Sequence, residues 1–169
     1  RSVVRHSQVL TALADGAVHV AEEATIPPEL DDLPRIGTML ELGPGLVDAE
    51  WFGLGPHECY PDRQRSGLVG RWRRPIDDLF VPYIRPQEAG GRGAVRWIEL
   101  LDGAGDGVRL TMGRPLQVSA SRYTIADLEA AEHVDELRPR PTVVVHIDAA
   151  HRGVGSASCG PDTTEEYLV

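Results

Sequence analysis

Short apolar runs that alternate with polar residues recur along this chain, and each is cut off by glycine, proline or aspartate. They span 3–13, 17–26, 35–42, 50–54, 95–101, 108–112, 116–121, 143–147 and 165–169. A period of two sends successive side chains to opposite faces of an extended backbone, so the pattern predicts about nine short strands. The punctuators between them include Gly43-Pro44-Gly45, Gly90-Gly91, Asp102-Gly103, Asp106-Gly107 and Gly113-Arg114-Pro115. These residues supply positive or fixed φ and favour turns, and Asp106-Gly107 between two apolar runs predicts a tight hairpin. Strands at this spacing predict an all-β fold, a β-sandwich.

One stretch departs from the pattern. Thr124 can cap a helix, Asp127 stands three residues later where a capping box needs it, and Ile125, Leu128 and Ala131 share a helical face. A single short helix is expected near 124–136, ending before Arg138-Pro139-Arg140-Pro141, where proline removes backbone donors. The proline-bounded stretch 27–34 reads as a connector inside one domain, 1–169.

A chain of 169 residues can bury roughly 70% of the surface its unfolded form exposes. With 41% hydrophobic and 25% charged residues, general disorder is excluded. The 17 basic residues, all arginine, are outnumbered by 26 acidic ones for a net charge of −9, which argues against a nucleic-acid partner. No apolar run approaches the roughly 18 residues of a membrane span, and the opening Arg1-Ser2-Val3-Val4-Arg5-His6 resembles no secretory leader. Cys59 and Cys159 lie too far apart for a metal-thiolate motif or a disulfide framework, so the expected compartment is a reducing cytoplasm.

Three groups of residues could carry chemistry. Trp51, Glu58, Tyr60, Asp62 and Arg63 form the densest polar-aromatic cluster, in which rings could stack on a sugar while carboxylates accept its hydroxyl hydrogens. The same residues also suit a structural loop, with the rings plugging the core and the polar groups satisfying loop amides, and this reading is preferred. A glycosidase needs two carboxyl groups about 5 to 9.5 Å apart, and spacing alone singles out no pair among Glu58, Asp62, Asp77, Asp78 and Glu88. His146, Asp148 and His151 resemble a metal-ligand triple, but without an evident fourth ligand they read as an ordinary strand end. Cys159 could act as a nucleophile only with its pKa lowered by a histidine such as His151; a small side chain lining a loop is the preferred reading.

Trp51-Phe52-Gly53-Leu54-Gly55-Pro56-His57-Glu58-Cys59-Tyr60-Pro61-Asp62-Arg63 nevertheless carries a family resemblance, together with Leu33-Pro34-Arg35-Ile36-Gly37, Val81-Pro82-Tyr83-Ile84-Arg85-Pro86-Gln87-Glu88 and His146-Ile147-Asp148. In sequence and order these segments resemble the C-terminal, small-chain, fifth domain of family 2 β-galactosidases, most clearly over 33–169. The resemblance implies a supersandwich-like β-domain of a larger retaining β-galactosidase. Its catalytic glutamates, and its magnesium and sodium ligands, would lie in other domains, so this piece holds no catalytic or metal-binding residue and is inactive alone.

The implied partners are the remaining domains or a separate large subunit, a galactoside, and further copies of the full-length enzyme. The domain would lend a loop to the active-site rim, where a tryptophan of some relatives falls on Cys159. Ser158 and Cys159 are therefore the expected substrate-binding residues. The alternative is a free-standing carbohydrate-binding or subunit-interaction module.

Overall fold

The computed structural model describes residues 3–156 and 160–169, and divides the chain into two compact units, Arg1–Asp32 and Leu33–Val169. The first is a hairpin of β1 (Arg5–Ala12) and β2 (Val18–Thr25), in register from Arg5 opposite Thr25 to Ala12 opposite Val18. Its turn closes through Leu13 N–H donating to the Ala17 carbonyl at 2.8 Å, with Gly16 at a φ of +87°. That left-handed angle costs glycine little and a residue with a Cβ more.

The second unit is one antiparallel sheet of six strands. These are β3 (Arg35–Leu42), β4 (Leu46–Gly55), β5 (Leu68–Pro75), β6 (Arg92–Asp102), β7 (Gly107–Ser121) and β8 (Val143–His151), in the order β3-β8-β7-β6-β4-β5. Alternation places Ala49 and Trp51 of β4, Ile98 and Leu100 of β6, Val118 and Ala120 of β7, and Val143 and Val145 of β8 in one buried cluster. A 3-10 turn over Ile76–Leu79 contributes Ile76 and Leu79 to it. Each such large side chain withdrawn from water stabilises the fold by about 1.5–3 kcal/mol.

The all-β expectation is met by these two antiparallel sheets. Its details change in three places. The runs 108–112 and 116–121 are one strand, β7, because Gly113-Arg114-Pro115 bulges out of register instead of ending it: Thr111 faces Trp97 and the next pair is Leu116 with Val95. A bulge absorbs the proline, which has no N–H to give the ladder. The run 165–169 is no strand. Tyr167 N–H donates to the Thr164 carbonyl at 3.0 Å, and a 3-10 turn forms over Glu165–Tyr167.

The third change is β5, which lacks an alternating apolar pattern and escaped the sequence reading. It is an edge strand whose Arg71 and Arg73 pair with Glu50 and Asp48 of β4, and charged side chains of this kind shield an open edge. The expected helix is present as α1 (Ile125–Ala130), followed by a 3-10 turn over Val134–Glu136. Its capping box is complete: Asp127 N–H donates to Thr124 Oγ1 at 3.1 Å, and Thr124 N–H to Asp127 Oδ2 at 2.8 Å.

Candidate functional site

The segment 51–63 begins as strand and continues as a loop, so its first five residues belong to β4 and not to the structural loop expected over the whole of it. Trp51 is fully buried and its indole N–H donates to the Leu54 carbonyl at 2.9 Å. Tyr60 is equally enclosed, at 1% exposure. Neither ring has a face left for a sugar, so the core-plug reading holds.

Beyond the strand, three side chains two residues apart tie down two loops, Glu58 and Tyr60 the stretch 83–91 and Asp62 the loop after β8. Glu58 accepts from the Tyr83 hydroxyl and, at 2.9 Å, from Gly90 N–H. The Tyr60 hydroxyl donates to Glu88 Oε1 at 3.0 Å and accepts from Gly91 N–H at 3.1 Å. Asp62 accepts from Val154 N–H at 3.1 Å, Gly155 N–H at 2.7 Å and the Thr163 hydroxyl at 2.9 Å. Burial pulls against ionisation of Asp62, yet these donors hold its pKa below the ordinary carboxylate range.

Of the other carboxylates, Asp77 pairs with Arg122 at 3.0 Å, and Asp78 is exposed. Cys59 is a buried free thiol whose pKa is raised, chiefly by burial, which makes it unreactive. Arg92 did not stand out in the sequence. It is 5% exposed, lies 5.1 Å over the Trp51 ring and donates to the Gly90 and Gly91 carbonyls at 2.9 and 3.2 Å.

The structure does bring His146, Asp148 and His151 together, and adds Arg35 and Glu88. Opposite β8, the register of β3 shifts between Ile36 and Gly37: Gly37 faces Asp148, while Ile36 faces Ala150. The extra residue turns His151 to the side of Asp148, as a β-bulge does. Gly37 is required there, since a Cβ would meet the Asp148 Cα at 2.6 Å.

Arg35 Nη2 lies 3.0 Å from Glu88 and 3.4 Å from Asp148, and His151 Nε2 lies 3.8 Å from Glu88. Burial raises the Asp148 pKa to about 6 against the pull of Arg35, and burial lowers that of His146 to about 4, with Arg35 adding to the effect. Burial also works against ionisation of Glu88, but His151 and Arg35 outweigh it and hold its pKa below the ordinary value. Among the described residues no three His, Cys, Asp or Glu side chains are arranged to hold a metal ion.

Next to this cluster a pocket of about 460 Å³ opens between α1 and the end of β8. Past β8 the chain enters a loop whose two stems are joined. Arg152 makes a bidentate pair with Asp162 at 2.8 and 2.6 Å, Ser156 N–H donates to the Pro161 carbonyl at 3.1 Å, and Asp62 holds Val154 and Gly155 on one stem and Thr163 on the other. Ser158 and Cys159, the expected substrate-binding residues, lie outside the described residues.

Comparison with known proteins agrees with the motif run. A β-galactosidase of Lactobacillus delbrueckii subsp. bulgaricus is 40% identical over 163 residues, covering 95% of this chain and 16% of the relative. A β-galactosidase of Arthrobacter sp. (strain B7) is 37% identical over 141 residues, 80% of this chain and 14% of the relative. One from Vibrio cholerae is 37% identical over 141 residues, 83% and 13%. The chain thus spans 13–16% of the length of these relatives. The model of the β-galactosidase small chain covers residues 2–169, and the chain belongs to that family.

Proposed function

We propose that this chain is the part of a β-galactosidase that packs on the catalytic remainder and lends its 153–162 loop to the rim of the active site. The parent enzyme would hydrolyse terminal β-D-galactosides with retention. The observation that carries the reading is the joined loop. Asp62, reaching across from the β4–β5 connection, and the Arg152–Asp162 pair hold its two stems, which suits a loop that must present Ser158 and Cys159 in one position.

Among the described residues, the carboxylates near the loop do not suit the chemical step itself. Glu58, Asp62 and Glu88 are engaged in holding loops and ion pairs, whereas a retaining mechanism needs an acid/base and a nucleophile about 5–5.5 Å apart with the sugar between them. The paired carboxylates, and the magnesium and sodium expected of the parent, are assigned to its other domains. The proposed setting is the cytoplasm, in a homo-oligomer of the full-length enzyme. Among the described residues no helix is long and apolar enough to cross a membrane.

The test is hydrolysis of a chromogenic β-galactoside by the pure chain, by a separately made large chain, and by the two mixed. Activity in the mixture alone supports the reading. Turnover by the pure chain, surviving a contaminant control, overturns it.

A further inference from the structure

We propose that the face made by the 80–88 loop, α1 and the recess beside them is the surface through which this chain docks on the remainder of the β-galactosidase. The inference rests on the reading of the chain as a part that packs on that remainder, and it names the surface which that reading leaves open.

Two walls make the face. The 80–88 loop runs along the segment 123–134: the Phe80 and Tyr123 rings stack at 4.8 Å at one end, and Val134 N–H donates to the Ile84 carbonyl at 3.1 Å at the other. Each wall carries an exposed apolar group. Ile84, at 83%, is the most exposed large apolar side chain among the described residues, and Ile125 of α1 is 48% exposed. Beside Ile125 lies the recess of about 460 Å³, with Leu128 and Val154 in its lining.

Single exposed apolar residues are ordinary on a protein surface, and Met39 and Val69 on the edge strands β3 and β5 are of that kind. The face differs in being held still. Next to Ile84, the Tyr83 hydroxyl donates to Glu58 and accepts from Arg63 at 3.4 Å, and Pro82 and Pro86 fix φ on either side. α1 is fastened by its capping box and by Asp127, which accepts from Arg140 at 2.6 and 2.9 Å. Apolar groups already fixed in place lose little freedom on association, so their burial shows in the affinity.

Two observations name the occupant. This chain spans only 13–16% of its relatives' length, so in them it accompanies a much larger remainder. Gly153 and Val154, on a stem of the rim loop, also line the recess, so a body that receives the loop meets the recess as well. A small molecule seated in the recess would leave Ile84 in water, whereas a protein surface covers both.

The experiment measures association of the chain with a separately made large chain, by titration calorimetry, for the unaltered chain and for Ile84→Asp, Ile125→Asp and the control Val69→Asp. All three positions are exposed, so the fold tolerates the changes, and aspartate suits the first turn of α1. Ile84→Asp and Ile125→Asp should each weaken association roughly tenfold or more, because each buries a carboxylate without a partner. Val69→Asp should change it by less than about twofold. In the unaltered chain, amide exchange over 83–88 and 124–131 should slow when the large chain is added, a readout that needs no variant.

Association indifferent to both face variants, with unchanged exchange over these segments, overturns this surface and leaves the rim reading standing. Failure of the unaltered chain to associate at all overturns both. If the face variants abolish self-association of the chain while binding of the large chain is kept, the face belongs to a second copy and the proposal falls.

Discussion

The hairpin β1–β2 and the six-stranded sheet are written in the same alternating pattern and differ almost completely in burial. Every residue of both hairpin strands is exposed. In the larger unit β4 buries Ala49 and Trp51 completely, and β8 buries Val143 and Val145. The contrast lies in which positions the pattern fills. On one hairpin face Leu10 opposes Val20 and Ala12 opposes Val18, but farther from the turn the same face carries Gln8 against Glu22 and His6 against Ala24. Apolar cover fails halfway along, and two strands alone are marginal in water. β4 instead lies between β5 and β6, and the face that holds Ala49 and Trp51 meets Ile98 and Leu100 of β6 in the core.

Paired truncations measure this difference, and they carry the largest expected effect. Trp51→Ala should cost roughly 3–5 kcal/mol, through lost burial and the cavity left behind. Leu10→Ala, at 62% exposure, should stay within about 0.5 kcal/mol. Urea unfolding of both variants checks the pair, and equal losses would break the comparison.

A second difference is electrostatic, because the larger unit encloses titratable groups. Asp148 has a folded pKa of about 6, above its unfolded value, so its contribution is complete below about pH 4 and is lost as pH rises through 6. His146, at about 4, is displaced the other way: its contribution is complete above about pH 6.5 and is lost as pH falls through 4. The two slopes oppose each other within one window, and single variants separate them. Asp148→Asn should leave stability rising with pH between about 4 and 6.5, and His146→Gln should leave it falling between about 4 and 6, each by on the order of 3 kcal/mol. Unfolding free energies measured from pH 4 to 7 decide this, and flat profiles in both variants would refute the buried-pair description.

These contrasts mark what was legible in the sequence. β3 was read with its true bounds, 35–42, because alternation needs no knowledge of distant residues. The helix cap was read for the same reason, since Thr124 and Asp127 are three positions apart. β5 was missed because Arg71 and Arg73 make sense only once its pairing with β4 brings Glu50 and Asp48 diagonally within reach of them. The polar cluster was half read: His146 and Asp148 were grouped on one strand with His151 beyond it, although β8 runs on to His151. Arg35 and Glu88 join them only through the antiparallel pairing of β3 with β8 and the tether from Tyr60, which no local pattern records.

The Asp62 clamp gives a smaller effect that stays local. Asp62→Asn keeps one acceptor oxygen and loses the charge, so about 1–3 kcal/mol of support for the loop stems should go. Amide hydrogen exchange at Val154 and Gly155 should quicken, while Val143 and Val145 of the core stay protected. Uniform acceleration across β8 would show that Asp62 supports the whole sheet and not the loop.

The smallest effect tests the proposed rim. In the assembled enzyme, Cys159→Trp would add an aromatic face where the present side chain has none. An aromatic contact beyond simple burial is worth roughly 0.5–1.5 kcal/mol, or about several-fold to tenfold in affinity. The gain should fall on glucose, as a stand-in for the leaving group, and not on galactose, which the proposal leaves to other domains. Inhibition of the assembled enzyme by each sugar, before and after the change, separates the two. The variant must first assemble with native stability, because a larger ring has to fit between stems joined by Arg152 and Asp162. Given that, an unchanged glucose constant would place the loop away from the leaving-group side. Asp62 would then be stabilising a surface loop with no part in substrate binding.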